Sequence, residues 1–187
     1  MNRLPKWTPA VGAILVLSMS IACRHQAITS SAPNTNRESG ETGSMQPDQI
    51  NTQGWEKAWT NLLNIAEQSF TPSVPRLLGV EVELVVGNPG NPGDQLTLTI
   101  LDESGQVLAA VTREVRADDC QRVIFAMPKR GAELSPGEKY WIRLTGGPTF
   151  GWKYIVGGYE SGEARFNQEP LLAQARSTFL FRTYGGK

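Results

Sequence analysis

The chain of 187 residues has few of the side chains that most catalytic and metal sites need. It contains one histidine, His25, and two cysteines, Cys23 and Cys120. Ser-His-Asp and Cys-His catalysis are therefore excluded unless His25 itself takes part, and so are the usual zinc sites built from several His and Cys. Two cysteines cannot form a disulfide framework. The 18 Lys+Arg equal the 18 Asp+Glu, which argues against nucleic acid as a partner, because general polyanion binding requires a basic surface.

Long apolar runs are also missing, apart from one near the N-terminus. Residues 10–22 (AVGAILVLSMSIA) form an uncharged, mostly apolar run of 13 residues, which is too short for a bilayer span of about 20 residues. Arg3 and Lys6 precede this run and no acidic residue does. This order of basic, apolar and small residues predicts a secretory signal peptide over residues 1–22. Its removal leaves a mature chain with a net charge of about −2.

The end of the apolar run predicts where the chain is cut and anchored. Ser20-Ile21-Ala22-Cys23 resembles the lipobox of bacterial lipoproteins, in which cleavage frees a cysteine that then carries lipid. An ordinary signal-peptidase cut at the same bond, leaving Cys23 without lipid, is the alternative. We expect lipid on Cys23, which suffices for stable membrane anchoring. Arg24 follows, where Gram-negative lipoproteins retained at the inner membrane commonly have Asp, so in such an organism we expect the outer membrane.

The next segment has the composition of a tether. Ser, Thr, Asn, Gly and Pro dominate residues 24–47, and apolar residues are few, so this segment cannot bury enough surface to offset the entropy of ordering. A coil of about 24 residues reaches on the order of 25–30 Å. We therefore predict a lipidated Cys23 with a flexible linker over 23–47, with His25 as a solvated linker residue, and one folded domain over 48–187.

From about Asp48 the sequence has the pattern of β-structure. Between residues 78 and 86, apolar residues beginning with Leu78 stand at every second position and alternate with Glu81 and Glu83, as in a half-buried strand. Turns rich in the 19 Gly and 12 Pro separate about eight or nine such strands. The pattern predicts an all-β fold, an antiparallel β-sandwich or barrel.

One segment has helical spacing instead. Trp55, Trp59 and Leu62 stand at i, i+4 and i+7, which places them on one face of a helix. We therefore expect one short N-terminal helix or turn over residues 54–65. Its two tryptophans are expected to pack against the sandwich, because an aromatic pair covers a large area of a small domain.

Several segments, taken in order, resemble motifs of bacterial secreted jelly-roll-like domains. They are an opening Asp48-Gln49, Q-x-F-T-P at 68–72, D-x-x-G-x-x-L-A at 102–109, L-x-P-G-x-x-Y at 134–140, and Phe-Leu-Phe-Arg-Thr-Tyr-Gly at 179–185, which is similar to a closing D-L-x-F-R-T-Y-G strand. Ser177-Thr178 stands where that group has an aspartate before its last strand. Such domains occur in exported or surface-anchored proteins, are mostly uncharacterised, and are usually suggested to bind sugars. The resemblance implies a jelly-roll-like β-sandwich and a carbohydrate ligand.

Aromatic residues are the candidates for such a ligand site. Trp152, Tyr154 and Tyr159 lie in or beside the Gly-rich stretch 146–162, and flat rings can stack on the apolar face of a sugar while polar groups fix its orientation. The polar neighbours are Glu160, Arg165 and Asn167. The alternative is that Trp152 and Tyr154, two residues apart, share one strand face and fill the core.

Trp141 is a further candidate, because it is out of phase with its apolar neighbours. Tyr140, Ile142 and Leu144 share one face of a predicted strand, so Trp141 faces the other way. It either contributes to ligand binding or covers the second face of the sheet.

The acidic residues and Cys120 give weaker signals. Calcium takes several oxygen ligands, and acids stand in turns without a continuous D-x-D-x-D loop, namely Asp94, Asp102, Glu103, Asp118 and Asp119. Glu81 and Glu83 share a strand face at a separation that suits a glycosidase, but they are more simply solvated. We predict no metal or other cofactor, with structural calcium as the alternative.

Cys120 follows two acids, which blunt thiol reactivity, and is expected to be inert or to link a dimer.

These observations favour a non-catalytic lipoprotein of the cell envelope. It would be tethered to the membrane through lipid on Cys23, and its β-sandwich would bind carbohydrate or a surface polymer. The first alternative is a structural or assembly lipoprotein that docks onto another envelope protein through a broad apolar patch. The second is a glycoside hydrolase with paired carboxylates in a deep cleft.

Overall fold

The computed structural model describes residues 45–52, 57–88, 90–117, 122–128, 130–157, 159–160, 162–171 and 176–186. The predicted signal peptide, Cys23, His25 and the linker up to residue 44 lie outside these residues. Trp55, Asp118, Asp119 and Cys120 do so as well. Within the described part of the chain, no helix is long and apolar enough to cross a membrane.

The described residues form fourteen strands, more than the eight or nine that alternation predicts, because β1 and β2 lie outside the predicted strands, β8 and β12 have two residues each, and the last predicted strand is divided into β13 and β14. The strands are β1 (Gln46–Asn51), β2 (Lys57–Asn61), β3 (Ala66–Phe70), β4 (Arg76–Val86), β5 (Gly93–Asp102), β6 (Val107–Arg116), β7 (Arg122–Ala126), β8 (Ala132–Glu133), β9 (Tyr140–Thr145), β10 (Phe150–Val156), β11 (Ala164–Phe166), β12 (Glu169–Pro170), β13 (Ser177–Phe179) and β14 (Phe181–Gly186).

The strands form two antiparallel sheets, which confirms the predicted β-sandwich. The first sheet has the order β1-β14-β4-β10-β13, with β2 paired to β10 and with β7 and β8 paired to β4. The second has the order β12-β11-β3-β9-β5-β6. The core contains inward residues of both sheets, among them Val80, Phe125 and Trp152 from the first and Phe70 and Ile142 from the second.

The expectation of a short helix or turn over 54–65 is wrong for most of its described residues. Residues 57–61 form β2, which pairs with β10 and places Trp59 opposite Lys153, and only residues 62–64 form a turn. Pairing with a neighbouring strand overrides the helical spacing, because strand formation depends more on cross-strand neighbours than on the local sequence. Trp59 is 47% exposed while Leu62 is fully buried, so the two do not share a face.

A bulge in β4 corrects the predicted alternation at one position. Tyr184 of β14 pairs with Gly79, but the next residue, Gly185, pairs with Leu77, so Leu78 is skipped. An extra residue of this kind shifts the phase of a strand. Leu77 therefore joins Val80 in the core while Leu78 does not.

Polar residues of the quoted motifs hold the strand ends and turns. Gln68 of β3 accepts a hydrogen bond through Oε1 from the Phe179 N–H at 2.8 Å, which links the two sheets. The Tyr140 hydroxyl accepts one from the Ser135 N–H at 2.8 Å. Asp102 accepts hydrogen bonds from the Ser104 hydroxyl and the Gln106 N–H in the β5–β6 turn, and these lower the pKa of its carboxyl. These motif residues therefore have structural roles.

Candidate ligand-binding cleft

A cleft of about 500 Å³ lies where two connections run between the sheets. Residues 157–163 lead from β10 in the first sheet to β11 in the second, and residues 171–176 lead from β12 back to β13. Backbone hydrogen bonds join the two paths at Gly157 to Arg176 (3.2 Å) and Leu171 to Ala164 (2.8 Å). Polar and aromatic side chains of both paths and of the adjoining strands β11 and β13 line the cleft, namely Tyr159, Glu160, Glu163, Arg165, Arg176 and Ser177.

The hairpin between the two paths is fixed by its turn. Asn167 and Gln168 have φ values of 53° and 69°, as a two-residue turn of type I′ requires. Asn167 accepts a hydrogen bond from the Ile65 N–H through Oδ1 and donates its own N–H to the Ile65 carbonyl. Asn167 therefore holds the hairpin in place and does not line the cleft, in contrast to the expectation that it contacts a ligand.

Arg165 is held against Trp141 at one side of the cleft. Its guanidinium carbon lies 3.9 Å from the centroid of the Trp141 ring, and Lys139 Nζ lies 5.1 Å from the same centroid. Glu163 joins the two cations, with Lys139 at 2.9 Å and Arg165 at 3.5 Å. Trp141 is only 5% exposed, so it covers the outer face of the second sheet and its ring is not open to a ligand.

The charges around Trp141 also set the ionisation of Glu163. The hydrogen bond from Lys139 lowers the pKa of the Glu163 carboxyl, and the charges of Lys139 and Arg165 act in the same direction. Glu163 therefore stays ionised to lower pH than an isolated glutamate.

Tyr159 enters the cleft from a fixed position. Its ring meets Phe181 edge to face at 5.4 Å, its hydroxyl donates to Gln49 Oε1 at 2.9 Å, and its N–H donates to Thr178 Oγ1 at 3.2 Å. Gln49 belongs to the Asp-Gln pair that opens the domain. Contacts from β1, β13 and β14 thus hold this half-buried ring at the edge of the cleft.

Trp152 and Tyr154 belong to the core, which corrects the prediction that they form a ligand platform. Trp152 is fully buried, stacks on Phe179 at 4.5 Å and donates its indole N–H to the Leu180 carbonyl at 2.8 Å. Tyr154 is half-buried and meets Phe179 edge-on at 6.1 Å. Neither residue lines the cleft, and their spacing of two residues gives the shared face that the core interpretation requires.

Arg176 and Ser177 are cleft residues that sequence reasoning missed. Arg176 has a φ of 46°, in the left-handed region that non-glycine residues rarely adopt. Ser177 is 4% exposed, and its hydroxyl has no hydrogen-bond partner among the described residues. The only signal in the sequence is that Ser177-Thr178 replaces the aspartate of the similar domains.

The carboxylates of β4 form hydrogen bonds and ion pairs on the outer face of the first sheet, whereas the sequence analysis expects them to be solvated. Glu81 is 9% exposed, accepts a hydrogen bond from the Tyr184 hydroxyl at 2.8 Å and lies 3.7 Å from Arg182. Glu83 pairs with Lys153 at 2.9 Å. Burial, followed by the hydrogen bond to Glu81, raises the pKa of Tyr184. Glu81 and Glu83 are therefore held by ion pairs and a hydrogen bond on this face.

The turn acids do not come together as a metal site within the described residues. No group of three or more His, Cys, Asp or Glu there could hold a metal ion. Asp94 instead accepts a hydrogen bond from the Thr149 N–H at 2.6 Å, and Asp102 closes the β5–β6 turn.

Comparison with known proteins does not assign the chain to a family. No family model matches the chain, and no curated protein matches it significantly. The resemblance to jelly-roll-like domains therefore stays a prediction. The cleft itself offers guanidinium and hydroxyl donors, carboxylate acceptors and one aromatic ring, a set that suits a ligand rich in polar groups.

Proposed function

We propose that this protein is an exported, membrane-tethered lipoprotein without catalytic activity, whose β-sandwich binds carbohydrate or a surface polymer in the cleft. The observation that best supports the proposal is that Tyr159, Glu160 and Arg165 line one cleft of about 500 Å³. That volume lies in the range of small-molecule sites.

The chemistry of the cleft suits sugar hydroxyls. Each hydroxyl both donates and accepts, so it bonds well between a carboxylate and a guanidinium. Glu160 is exposed and Arg165 half-buried at the cleft, and Pro170 and Leu171 add apolar surface beside them. Apolar walls with a few placed polar groups are typical of ligand sites.

The ionisation of Glu163 supports binding without catalysis. A glycosidase needs one carboxyl that is protonated at working pH to act as the general acid. Glu160 and Glu163 are the two carboxylates of the cleft, and the pKa of Glu163 is shifted downward by Lys139. A downward shift makes Glu163 unsuitable as that general acid.

A glycan array tests the binding proposal. The full chain in mild detergent should bind a subset of glycans, and Glu160→Ala should weaken that binding about threefold to tenfold, because one or two hydrogen bonds are lost. Glu103→Ala is the matched control, since Glu103 is an exposed acid in the β5–β6 turn. Absence of binding to every glycan and to cell-wall fractions would contradict the proposal.

The tether has its own test. The intact mass of the protein extracted from membranes should exceed that of the chain starting at Cys23 by a diacylglyceryl and an acyl group. Cys23→Ser should release the protein from the membrane fraction, since a single lipid-bearing residue provides the anchor. An unmodified Cys23 in membrane-bound protein would contradict this part of the proposal.

Docking onto another envelope protein is the second candidate, and one observation favours it. Ile50, Ile124 and Trp59 are 54%, 43% and 47% exposed on the outer side of the first sheet. Co-purification of a partner in a fixed ratio, lost on Ile50→Ser with Ile124→Ser, would favour docking. The charged Glu81 and Arg182 lie between the two isoleucines in the strand register, so these apolar residues do not form one continuous patch.

A further inference from the structure

The cleft contains a buried hydroxyl that makes no hydrogen bond to any residue that the structure describes. Ser177 is 4% exposed, lines the cleft, and its Oγ has no hydrogen-bond partner in the described part of the chain. Buried polar groups are nearly always paired, and an exception calls for an explanation such as a missing ligand. A ligand oxygen in the cleft would accept the Ser177 proton.

The backbone beside this hydroxyl is strained. Arg176 has a φ of 46°, and its side chain lines the cleft. An arginine in the left-handed region costs free energy that a glycine or an asparagine would avoid. Such strain concentrates at functional sites, and here it lies in the residue that precedes Ser177 in the cleft lining.

Arg165 supplies a second guanidinium at the cleft. The flat group rests on Trp141 at 3.9 Å, and its only ion pair among the described residues is a long contact of 3.5 Å to Glu163. Stacking on an aromatic ring holds the guanidinium in one plane. A planar guanidinium fixed in this way matches the two oxygens of a carboxylate.

The charge balance of the cleft also favours an anion. Arg165 and Arg176 face the carboxylates Glu160 and Glu163. Lys139 binds Glu163 from outside the cleft lining at 2.9 Å. Because Lys139 pairs with Glu163 at the shorter distance, the guanidinium of Arg165, at 3.5 Å from the same carboxylate, stays available to an anion.

From these observations we propose that the cleft binds an acidic sugar, with its carboxylate held by Arg165, Arg176 and the Ser177 hydroxyl. This inference rests on the proposed function, since it names the class of carbohydrate. Ring hydroxyls of the same sugar then bond to Glu160. The predicted ligand is a uronic-acid unit of a surface polysaccharide.

Calorimetric titration of the full chain in mild detergent tests the inference. The probes are trigalacturonate and its fully methyl-esterified form, which has the same rings without charge. We expect trigalacturonate to bind at least tenfold more tightly, with an affinity that falls as salt is added because ionic contacts are screened.

Three variants locate the carboxylate. Arg165→Gln and Arg176→Gln should each weaken trigalacturonate binding about tenfold, since each removes a charge-assisted contact, while Ser177→Ala should weaken it about threefold to tenfold. Arg130→Gln, which removes an exposed arginine outside the cleft lining, should leave binding unchanged. Thermal melting of each variant separates loss of binding from loss of folding.

The outcomes distinguish this inference from the proposed function. Equal binding of the charged and esterified trimers, unaffected by the arginine variants, would overturn the acidic-sugar inference while carbohydrate binding stands. Binding of neutral glycans alone on the array would do the same. Absence of binding to both trimers and to every arrayed glycan would overturn both.

Discussion

The two ends of β13 lie two residues apart and differ completely in how their polar groups are paired. At Phe179, the N–H binds Gln68 and the carbonyl accepts from the Asn51 amide at 2.5 Å, while the ring stacks on Trp152. At Ser177, the buried hydroxyl has no hydrogen-bond partner within the described ranges, and the preceding Arg176 is strained. The Phe179 end thus serves folding, and the Ser177 end retains the one hydroxyl that we propose binds a ligand.

The largest effect is expected at the Phe179 end, from Trp152→Ala. The change removes a fully buried ring and the hydrogen bond to Leu180, so we expect a loss of about 3–5 kcal/mol in the free energy of unfolding. Urea denaturation measures it. Arg165→Gln is the comparison at the cleft. If Trp152→Ala lowers the free energy of unfolding no more than Arg165→Gln does, the distinction between the two ends fails.

A smaller loss is expected from Gln68→Met, which keeps the length of the side chain but leaves the buried Phe179 N–H unpaired. Such an orphaned donor costs about 1–3 kcal/mol. The same substitution at the exposed Gln95 of β5 is the control and should change the stability by less than about 0.5 kcal/mol. If the two substitutions cost the same, Gln68 does not link the sheets.

At the Ser177 end we expect a substitution to increase the free energy of unfolding, in contrast to the losses at the Phe179 end. Arg176→Asn should raise the free energy of unfolding by up to about 1 kcal/mol, since asparagine tolerates the left-handed region better than arginine. Binding of trigalacturonate should weaken in the same variant. A destabilised Arg176→Asn would show that the arginine side chain stabilises the fold, and would remove the strain argument.

The smallest effect concerns pH. The pKa of Glu163 is lowered in the folded protein, chiefly by its hydrogen bond from Lys139. The contribution of this carboxylate to stability is therefore present above its unfolded pKa of about 4.3 and is lost as the pH falls through the lower folded pKa. Lys139→Met should move the Glu163 titration, followed by carbon-13 NMR, upward in pH. No movement would mean that Lys139 does not control this carboxylate.

The fold follows from local patterns far better than the cleft does. Alternation of apolar and polar residues marks most long strands, and the sandwich is confirmed. Residues 57–61 were misread as part of a helix because Trp55, Trp59 and Leu62 have helical spacing, whereas pairing of β2 with β10 decides the conformation. The two-residue strands β8 and β12 are too short to produce any pattern.

The cleft depends on features that a sequence pattern does not contain. Tyr159, Glu160 and Arg165 were identified because they stand near one another in a Gly-rich region. Arg176 and Ser177 come from a separate connection, and only the order of strands in the two sheets brings them to the same place. Burial of Trp152 likewise depends on Phe179, which is distant in sequence.

The most direct test of a ligand site at the Ser177 end is a titration of the nitrogen-15-labelled chain with trigalacturonate, followed by NMR. We predict that the largest shifts occur at the backbone amides of Gly162 and Ser177 and at the Arg165 side chain. The Trp152 indole N–H should stay unchanged. Shifts centred on Trp59 or on the outer face of the first sheet, with the cleft amides unmoved, would contradict the account.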